Sequence, residues 1–276
     1  MSSAYGIGAE FPARRWRAPL AIRWSAAVHL GGLAALALDP PLWPYVGAAL
    51  AANHAALGVA GMLPRSAVLG PNLKRLPPAA SRRSEIALTF DDGPDPEVTP
   101  RILDVLDRHG AKASFFCIGR EAVRHPKIVR EIACRGHGVE NHSNRHSNAF
   151  AASGPRTLQR DIATAQECLT ALAGRPPLFF RAPMGLRNPF LDPVLAGLGL
   201  TYVSWTRRGF DTVDGNHVSV LARLTRDLAA GDVLLLHDHA RGAPGAVAMA
   251  VLPALLERIA AAGLKSVSLR AACGRA

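Results

Sequence analysis

The sequence predicts an α/β protein of parallel strands and covering helices, preceded by a separate pair of apolar helices. Three observations carry that expectation. From residue 85 onward, seven apolar runs of strand length alternate with six segments of helical periodicity. Each helical segment ends at a glycine just ahead of the next strand, at Gly110, Gly136, Gly174, Gly199, Gly231 and Gly263, and glycine accepts the left-handed backbone that closes a helix. Ahead of the alternation lie two apolar stretches, 18–38 and 42–63, each about the 20 residues that a bilayer-spanning helix needs.

Composition agrees with this division. Of 276 residues, 49% are hydrophobic and 19% charged, and the mean hydropathy is +0.12, which excludes a disordered chain. The net charge of +11 is unevenly spread: residues 1–83 hold nine Lys/Arg against two Asp/Glu, a net of +7. These basic residues (Arg14, Arg15, Arg17 and Arg23, then Arg65, Lys74, Arg75, Arg82 and Arg83) flank the apolar stretches. That is a membrane-flank pattern and argues against a nucleic-acid partner. The cysteines Cys117, Cys134, Cys168 and Cys273 form no CxxC pair and read as free buried thiols, with disulfides as the alternative.

Residues 1–69 are therefore expected to form a two-helix membrane hairpin, with Asp39-Pro40-Pro41 as its turn and Trp16, Trp24, Trp43 and Tyr45 near the interfaces. A signal peptide cleaved near Ala37 and a partly inserted interfacial segment are the alternatives. Arg23, His29 and His54 inside these stretches read as snorkelling or facing a partner helix. Basic residues outside both helices, and none in the turn, predict an inner-membrane protein of bacterial type with its catalytic part facing the cytoplasm; a periplasmic placement is the alternative. Residues 70–84, with Pro, Ser and basic residues, read as a linker, and 85–276 as the catalytic domain.

Within that domain the strands are expected at 85–91, 112–118, 137–142, 178–181, 201–205, 232–237 and 264–269. The first helix opens with Thr99 as its cap and Pro100 at the first helical position. The third helix places Leu158, Ile162, Ala165, Leu169 and Leu172 on one face. Strands and helices in this order fit an incomplete barrel or an open sheet, and in both the functional residues belong at the C-terminal strand ends. Polar residues do collect there: Asp91 and Asp92 after the first strand, His142 and His146 after the third, Arg181 after the fourth, Asp211 after the fifth and His237 after the sixth.

Two histidines at i, i+4 can share one side of a helical turn, and with a carboxylate they make a three-ligand site that leaves a position open for water. Imidazole and carboxylate suit Zn²⁺, with Co²⁺, Ni²⁺ and Fe²⁺ as alternatives. Adjacent carboxylates at a strand end point in different directions, so one can bind metal while the other acts as a base. His109, His125, His137 and His217 have no such company and read as surface or packing residues.

The blocks Thr89-Phe90-Asp91-Asp92-Gly93, His142-Ser143 with His146, Arg181-Ala182-Pro183 with Gly185, and Leu235-Leu236-His237-Asp238 occur in this order. Together they resemble the polysaccharide deacetylase family (the NodB-homology domain, carbohydrate esterase family four) over about residues 84–270. The resemblance implies a distorted (β/α) barrel of seven or eight strands and metal-dependent removal of N-acetyl groups from amino sugars. It implies Asp91 as general base, Asp92, His142 and His146 as metal ligands, Arg181 orienting Asp91, His237 as general acid paired with Asp211, and a backbone N–H near Met184 for the oxyanion.

This chain departs from the family pattern in three places. Met184 stands where the family often has Tyr, and Ser147 where it often has Pro. Arg208-Gly209-Phe210-Asp211-Thr212 replaces an Asp-x-x-Asp-Trp block, so Arg208 reverses a charge. Fewer rim aromatics leave less stacking surface for a long polymer. The expected substrate is an N-acetylated amino-sugar glycan or a lipid-linked sugar at the membrane. A deformylase or O-acetyl esterase on a glycolipid, and an inactive glycan-binding membrane protein, are the other readings.

Overall fold

The structure, a computed structural model, describes residues 14–239 and 244–274. The first thirteen residues of the expected hairpin region and the last two of the expected catalytic domain lie outside the described residues. Two helices come first, α1 (Leu20–Leu38) and α2 (Trp43–Met62), joined by a single 3₁₀ turn at Pro40–Leu42. A polar seam runs between them. Asn53 donates to the Ser25 hydroxyl at 2.9 Å, His29 Nδ1 sits 2.7 Å from the Ser25 carbonyl, and the His29 and His54 rings meet edge-on at 5.1 Å. The outer surface is apolar and open, with Trp24, Leu30, Leu33, Trp43 and Tyr45 exposed. Of the two expected spans, only α1 is long and apolar enough to cross a membrane. In α2, Asn53, His54 and Pro44 dilute the apolar residues.

A short helix α3 (Pro78–Arg82) leads into β1 (Glu85–Asp91), α4 (Thr99–Arg108), β2 (Ala113–Cys117), α5 (Gly119–Arg124), α6 (Pro126–Cys134) and β3 (Gly138–Asn141). Then follow α7 (Pro155–Ala173), β4 (Phe179–Phe180), α8 (Leu191–Gly197), β5 (Thr201–Tyr202) and β6 (Arg207–Arg208). The chain closes with α9 (His217–Thr225), β7 (Val233–His237), α10 (Pro244–Ala261), β8 (Lys265–Ser266) and α11 (Leu269–Ala272). The strands pair in parallel in the order β5-β4-β3-β2-β1-β7-β6, with β8 also on β1. Among the described residues this makes eight strands, one more than expected. The addition is β6, a two-residue strand of two arginines whose charge hides it from any apolar pattern. The glycines expected to end helices take the left-handed backbone, from Gly110 at φ 60° to Gly231 at φ 88°.

Alternation along β1 decides what faces the interior. Ile86, Leu88 and Phe90 point to the helices and join the main core with Phe115, Leu234 and Leu252; Phe90 stacks on Phe115 at 5.1 Å. Ala87, Thr89 and Asp91 consequently point inward, where Ala87 packs with Phe116, Phe179, Val203 and Val233. Asp91 therefore reaches the C-terminal end of the curled sheet from its inner face.

Two expectations need correction. The segment expected as a linker is part of the sheet's closure. Leu73 bridges to Val203 beyond β5, and Arg75 bridges to Asp232 ahead of β7. Leu73 N–H donates to the Tyr202 carbonyl at 3.0 Å and Leu76 N–H to the Gly231 carbonyl at 2.8 Å, with Leu76 and Ala80 buried. The segment thus links the β5 edge to the N-terminal end of β7, where backbone groups that β6 does not reach need partners. Thr99 is not a helix cap either. Its hydroxyl reaches Asp238 Oδ2 at 2.7 Å, while Asp95 Oδ1 accepts from the N–H groups of Glu97 and Val98. Cys117 is buried as expected, whereas Cys134 is exposed. His137 proves to be a packing residue, fully buried against Phe115, and burial lowers its pKa to about 4.

Glu140 on β3 is buried inside the curl. Its Oε2 accepts from the N–H groups of Leu178 and Phe179 at 2.9 Å each, and its Oε1 has no partner. Burial pushes its carboxyl up to about 7, against the pull of those N–H groups and Arg270. Because the folded pKa lies above the unfolded one, the contribution to stability is full below about pH 4.5 and is lost as pH rises through 7. Glu140→Gln keeps the acceptor and removes the charge. Its stability should match that of the parent at pH 4 and exceed it by up to about 3 kcal/mol at pH 8, read by denaturant titration of the full chain in detergent.

Candidate active site

The C-terminal rim gathers every polar residue expected there. β1 delivers Asp91 on the inner face, and the next residue, Asp92, turns into the left-handed region at φ 78°. That turn aims the second carboxylate at the loop after β3. The close packing behind it needs glycine at the following position. A Cβ on Gly93 would stand 2.2 Å from Asp238 Oδ2, and Gly93 N–H donates to Asp238 Oδ1 at 3.1 Å. Asp238 is itself fully buried, and burial raises its carboxyl well above the usual range despite the bond from Thr99.

His142 and His146 converge, but not along a helix. The stretch between them is a loop in which Ser143 (φ 64°) and His146 (φ 50°) both take the left-handed backbone. Local bonds hold this shape. Asn141 Oδ1 accepts from Ser143 N–H at 2.9 Å, and the Ser143 hydroxyl accepts from His146 N–H at 3.0 Å. The result places His142 Nε2 3.2 Å and His146 Nε2 3.1 Å from the same Asp92 Oδ1. That oxygen is buried and accepts no hydrogen bond.

The three groups fit a divalent cation. His142 Nδ1 lies 2.8 Å from the Arg181 carbonyl, which can only accept, so Nδ1 carries the proton and Nε2 presents its lone pair. Two imidazole nitrogens and one otherwise unpartnered carboxylate oxygen then meet within 4.8 Å, an O/N set that suits zinc-like metals. Burial disfavours protonation of His142, but Asp91 and Asp92 outweigh it and raise its pKa. Burial likewise works against the Asp92 charge, and the nearby imidazoles of His142, His146 and His239 overcome it, holding the carboxyl well below the usual range.

Two dyads flank this cluster. Arg181 donates to Asp91 Oδ1 at 2.6 Å and to the Thr89 hydroxyl at 3.0 Å. It also donates to the carbonyls of Val203 and Ser204 and stacks on Phe116 at 4.1 Å. The other Asp91 oxygen lies 3.9 Å from His142 Nε2, facing the metal-type cluster. On β7, His237 Nδ1 lies 3.0 Å from Asp211 Oδ1, and His237 N–H donates to Asp211 Oδ2 at 2.8 Å. Burial lowers the His237 pKa, but Asp211, Asp91 and Asp92 more than offset that and the net shift is upward. Met184 (φ 56°), Gly185, Trp205, Arg208 and Thr212 line the same cleft.

His239 was not among the residues expected at the site, yet its Nε2 lies 3.3 Å from Asp92 Oδ2. The sequence did carry a signal: His239 follows His237 by two positions at the end of a strand, where alternation places both on one side. Trp205 and Thr89 were also missed, being an aromatic and a hydroxyl with no spacing of their own.

Comparison with known proteins agrees with this arrangement. The polysaccharide deacetylase family model matches residues 79–203, beyond the apolar helix pair. The chain is 36% identical over 157 residues to a chitooligosaccharide deacetylase of Azorhizobium caulinodans, covering 56% of this chain and 74% of that one. It is 35% identical over 155 residues to a peptidoglycan-N-acetylglucosamine deacetylase of Bacillus cereus, covering 55% of this chain and 72% of the other. Among solved structures, the Bc1960 peptidoglycan N-acetylglucosamine deacetylase superimposes with a TM-score of 0.69 at 30% identity, over 74% of this chain and 94% of that one. A family 4 carbohydrate esterase from Streptomyces lividans, solved with acetate, gives 0.62 at 32% identity over 66% and 91%. With the curled parallel sheet and its rim of paired carboxylates and histidines, these similarities place the chain in the polysaccharide deacetylase family of hydrolases.

Proposed function

We propose that this protein is a divalent-metal-dependent N-deacetylase acting on an N-acetylated amino-sugar glycan or lipid-linked sugar at a membrane surface. The observation that carries the reading is the buried Asp92 Oδ1 with His142 and His146 directed at it, set between the Asp91–Arg181 and His237–Asp211 pairs. Asp92, His142 and His146 would hold the cation. When bound, it supplies Lewis acidity to the acyl carbonyl and to water.

The chain's own groups divide the proton transfers. Arg181 occupies one Asp91 oxygen and leaves the other facing the cluster, so Asp91 takes the proton from the attacking water. Asp211 occupies His237 Nδ1, which fixes the ring and leaves Nε2 to carry the proton delivered to the departing amine. The turn at Pro183–Gly185 sets Met184 in the cleft wall, where the family resemblance assigns an oxyanion donor.

The lipid-linked half of the reading is supported by how the helix pair meets the cleft. Gly185 has no room for a Cβ, which would lie 2.8 Å from Pro64 and 2.7 Å from Trp205. Pro64 directly follows α2 and Leu63, so the wall of the cleft is packed against the end of the apolar helices. Arg187 donates to the carbonyls of Ser66, Gly70 and Pro71, and Asp192 accepts from Trp16 at 2.8 Å and pairs with Arg14. The site is thereby tied to the base of the helix pair. With the helix pair held at a bilayer by the apolar α1, its basic flanks towards the cytoplasm and the cleft at the lipid surface, a membrane-borne amino sugar is within reach.

Four outcomes test these statements. Acetate release from N-acetylated chito-oligosaccharide and glycolipid panels should be abolished by chelator and by Asp92→Asn, with loss of bound metal. Asp91→Asn should keep the metal and lose about 10²- to 10⁴-fold in kcat; full activity in Asp91→Asn would remove the assignment, and formate or ester-derived acetate as product would change the acyl group. Because the His237 pKa is raised and the acid must hold its proton, activity should persist above the ordinary imidazole range. Asp211→Asn should move the alkaline limb of kcat against pH to lower pH. Finally, a C-terminal reporter active only in the cytoplasm should be active; activity of a periplasm-only reporter would reverse the orientation.

A further inference from the structure

Among the residues lining the cleft, Arg208 has no role in the proton transfers and, among the described residues, no counter-ion. Its neighbours show what a paired arginine looks like here. Arg207 binds Asp232 Oδ2 at 2.8 Å, Arg223 pairs with Asp214 and donates to the Gly209 carbonyl, and Arg181 holds Asp91. Arg208 makes no ion pair or side-chain hydrogen bond among the described residues, and its buried Nε is unsatisfied. Aromatic faces hold it instead: its guanidinium lies 4.9 Å from the Phe210 ring centre and 5.5 Å from that of Trp205. Strand β6 fixes the backbone beneath it, with Arg208 opposite Leu235. Phe210, in the left-handed region at φ 61°, turns its ring back towards the guanidinium.

A planar cation held by stacking on a cleft wall, with its hydrogen-bond donors unspent, is a preformed seat for an anion, and guanidinium geometry matches phosphate oxygens in pairs. The buried Nε of Arg208 has no partner among the described residues, and leaving that donor unsatisfied is costly. The Thr212 hydroxyl lines the same cleft and offers one more donor. The cleft is shared with Asp91, His142, His146 and His237, so an anion at Arg208 would belong to the molecule whose acyl group is being removed.

We propose that Arg208 selects an amino-sugar substrate bearing a phosphoryl group, which it binds beside the reacting amide. The inference rests on the deacetylase reading above and names its substrate class. The phosphoryl can belong to a soluble sugar phosphate or to the phosphate joining a sugar to a lipid. The packing of Gly185 against Pro64, in the same cleft, makes the second source accessible to a chain seated in a membrane.

The test uses the full chain in detergent, loaded with Zn²⁺, and three substrates: N-acetylglucosamine, its 1-phosphate, and a lipid monoester of that phosphate. The phosphorylated compounds should show higher kcat/KM than the neutral sugar, by about tenfold or more. Arg208→Met, which keeps an apolar contact with the two rings, should collapse that ratio towards one, and Arg208→Lys should restore part of it. Equal preference for both phosphorylated compounds identifies a soluble source. A further gain for the lipid monoester, lost together with the phosphate preference in Arg208→Met, identifies the lipid-borne source. A fall in kcat/KM by the same factor on all three substrates would overturn the proposal and make Arg208 a brace for Trp205.

Calorimetric binding of the same sugars to metal-free protein separates this inference from the reading beneath it. Retained preference for the 1-phosphate, lost in Arg208→Met, with no acyl release from any substrate would sink the deacetylase reading and leave the Arg208 assignment standing. Acyl release without any preference for phosphate would do the reverse.

Discussion

Arg181 carries a full positive charge with no exposure to solvent, and both halves of the catalytic rim are referred to it. Its side chain occupies one Asp91 oxygen, and its main-chain carbonyl takes the Nδ1 proton of His142. One residue therefore fixes the Asp91 carboxylate and the tautomer of an imidazole beside it. Burying an unpaired guanidinium would cost several kcal/mol, so the surroundings complete its bonding with the Thr89 hydroxyl, two carbonyls from the stretch after β5, and the Phe116 face. These partners come from β1, β2 and the end of β5. The position of Arg181 is thus a property of the curled sheet as a whole, and the sheet must close around it for the rim to exist.

Strained backbone concentrates at the rim: of the seven non-glycine residues with positive φ among the described residues, all but Ser84 and Asp227 lie there. Asp92, Ser143, His146, Met184 and Phe210 all have positive φ without being glycine, each costing on the order of 1–3 kcal/mol. All five lie in loops at the C-terminal ends of strands. The framework beneath is made of fully buried aromatic and aliphatic side chains such as Phe90, Phe115, Ile102 and Leu106, whose packing offsets that strain. A rim of this kind keeps its donor atoms in register before any ligand arrives.

Much of this arrangement was legible in the residues. Strands β1, β2 and β7 have apolar runs that admit few other readings, and the glycine-closed helices marked the spacing between them. The site residues were legible because ordered blocks at strand ends come together in any parallel sheet. Other features had no local signature. The two arginines of β6 look like surface residues until β7 is seen beside them. His142 and His146 converge through a loop, since the spacing of four that suits a helix is equally reached by two left-handed turns. The role of Leu73 and Arg75 depends on edges contributed by residues more than a hundred positions later. The second apolar stretch matched a span by length alone, while Asn53 and Ser25 instead join the helices to each other.

The strip of chain around Leu73 and Leu76 also settles where this protein can be cut. Alignment with relatives would tempt one to start a shortened chain at β1, after the apolar helices. That choice would remove the material bridging β5 and β7 and leave two sheet margins with unsatisfied N–H and C=O groups, the kind of surface on which one molecule templates the next into aggregates. A cut placed between Pro64 and Ser66 would keep the seam and leave Arg187 the carbonyls of Ser66, Gly70 and Pro71. The covalent connection between the apolar helices and the hydrolase is therefore also a stave of the hydrolase itself.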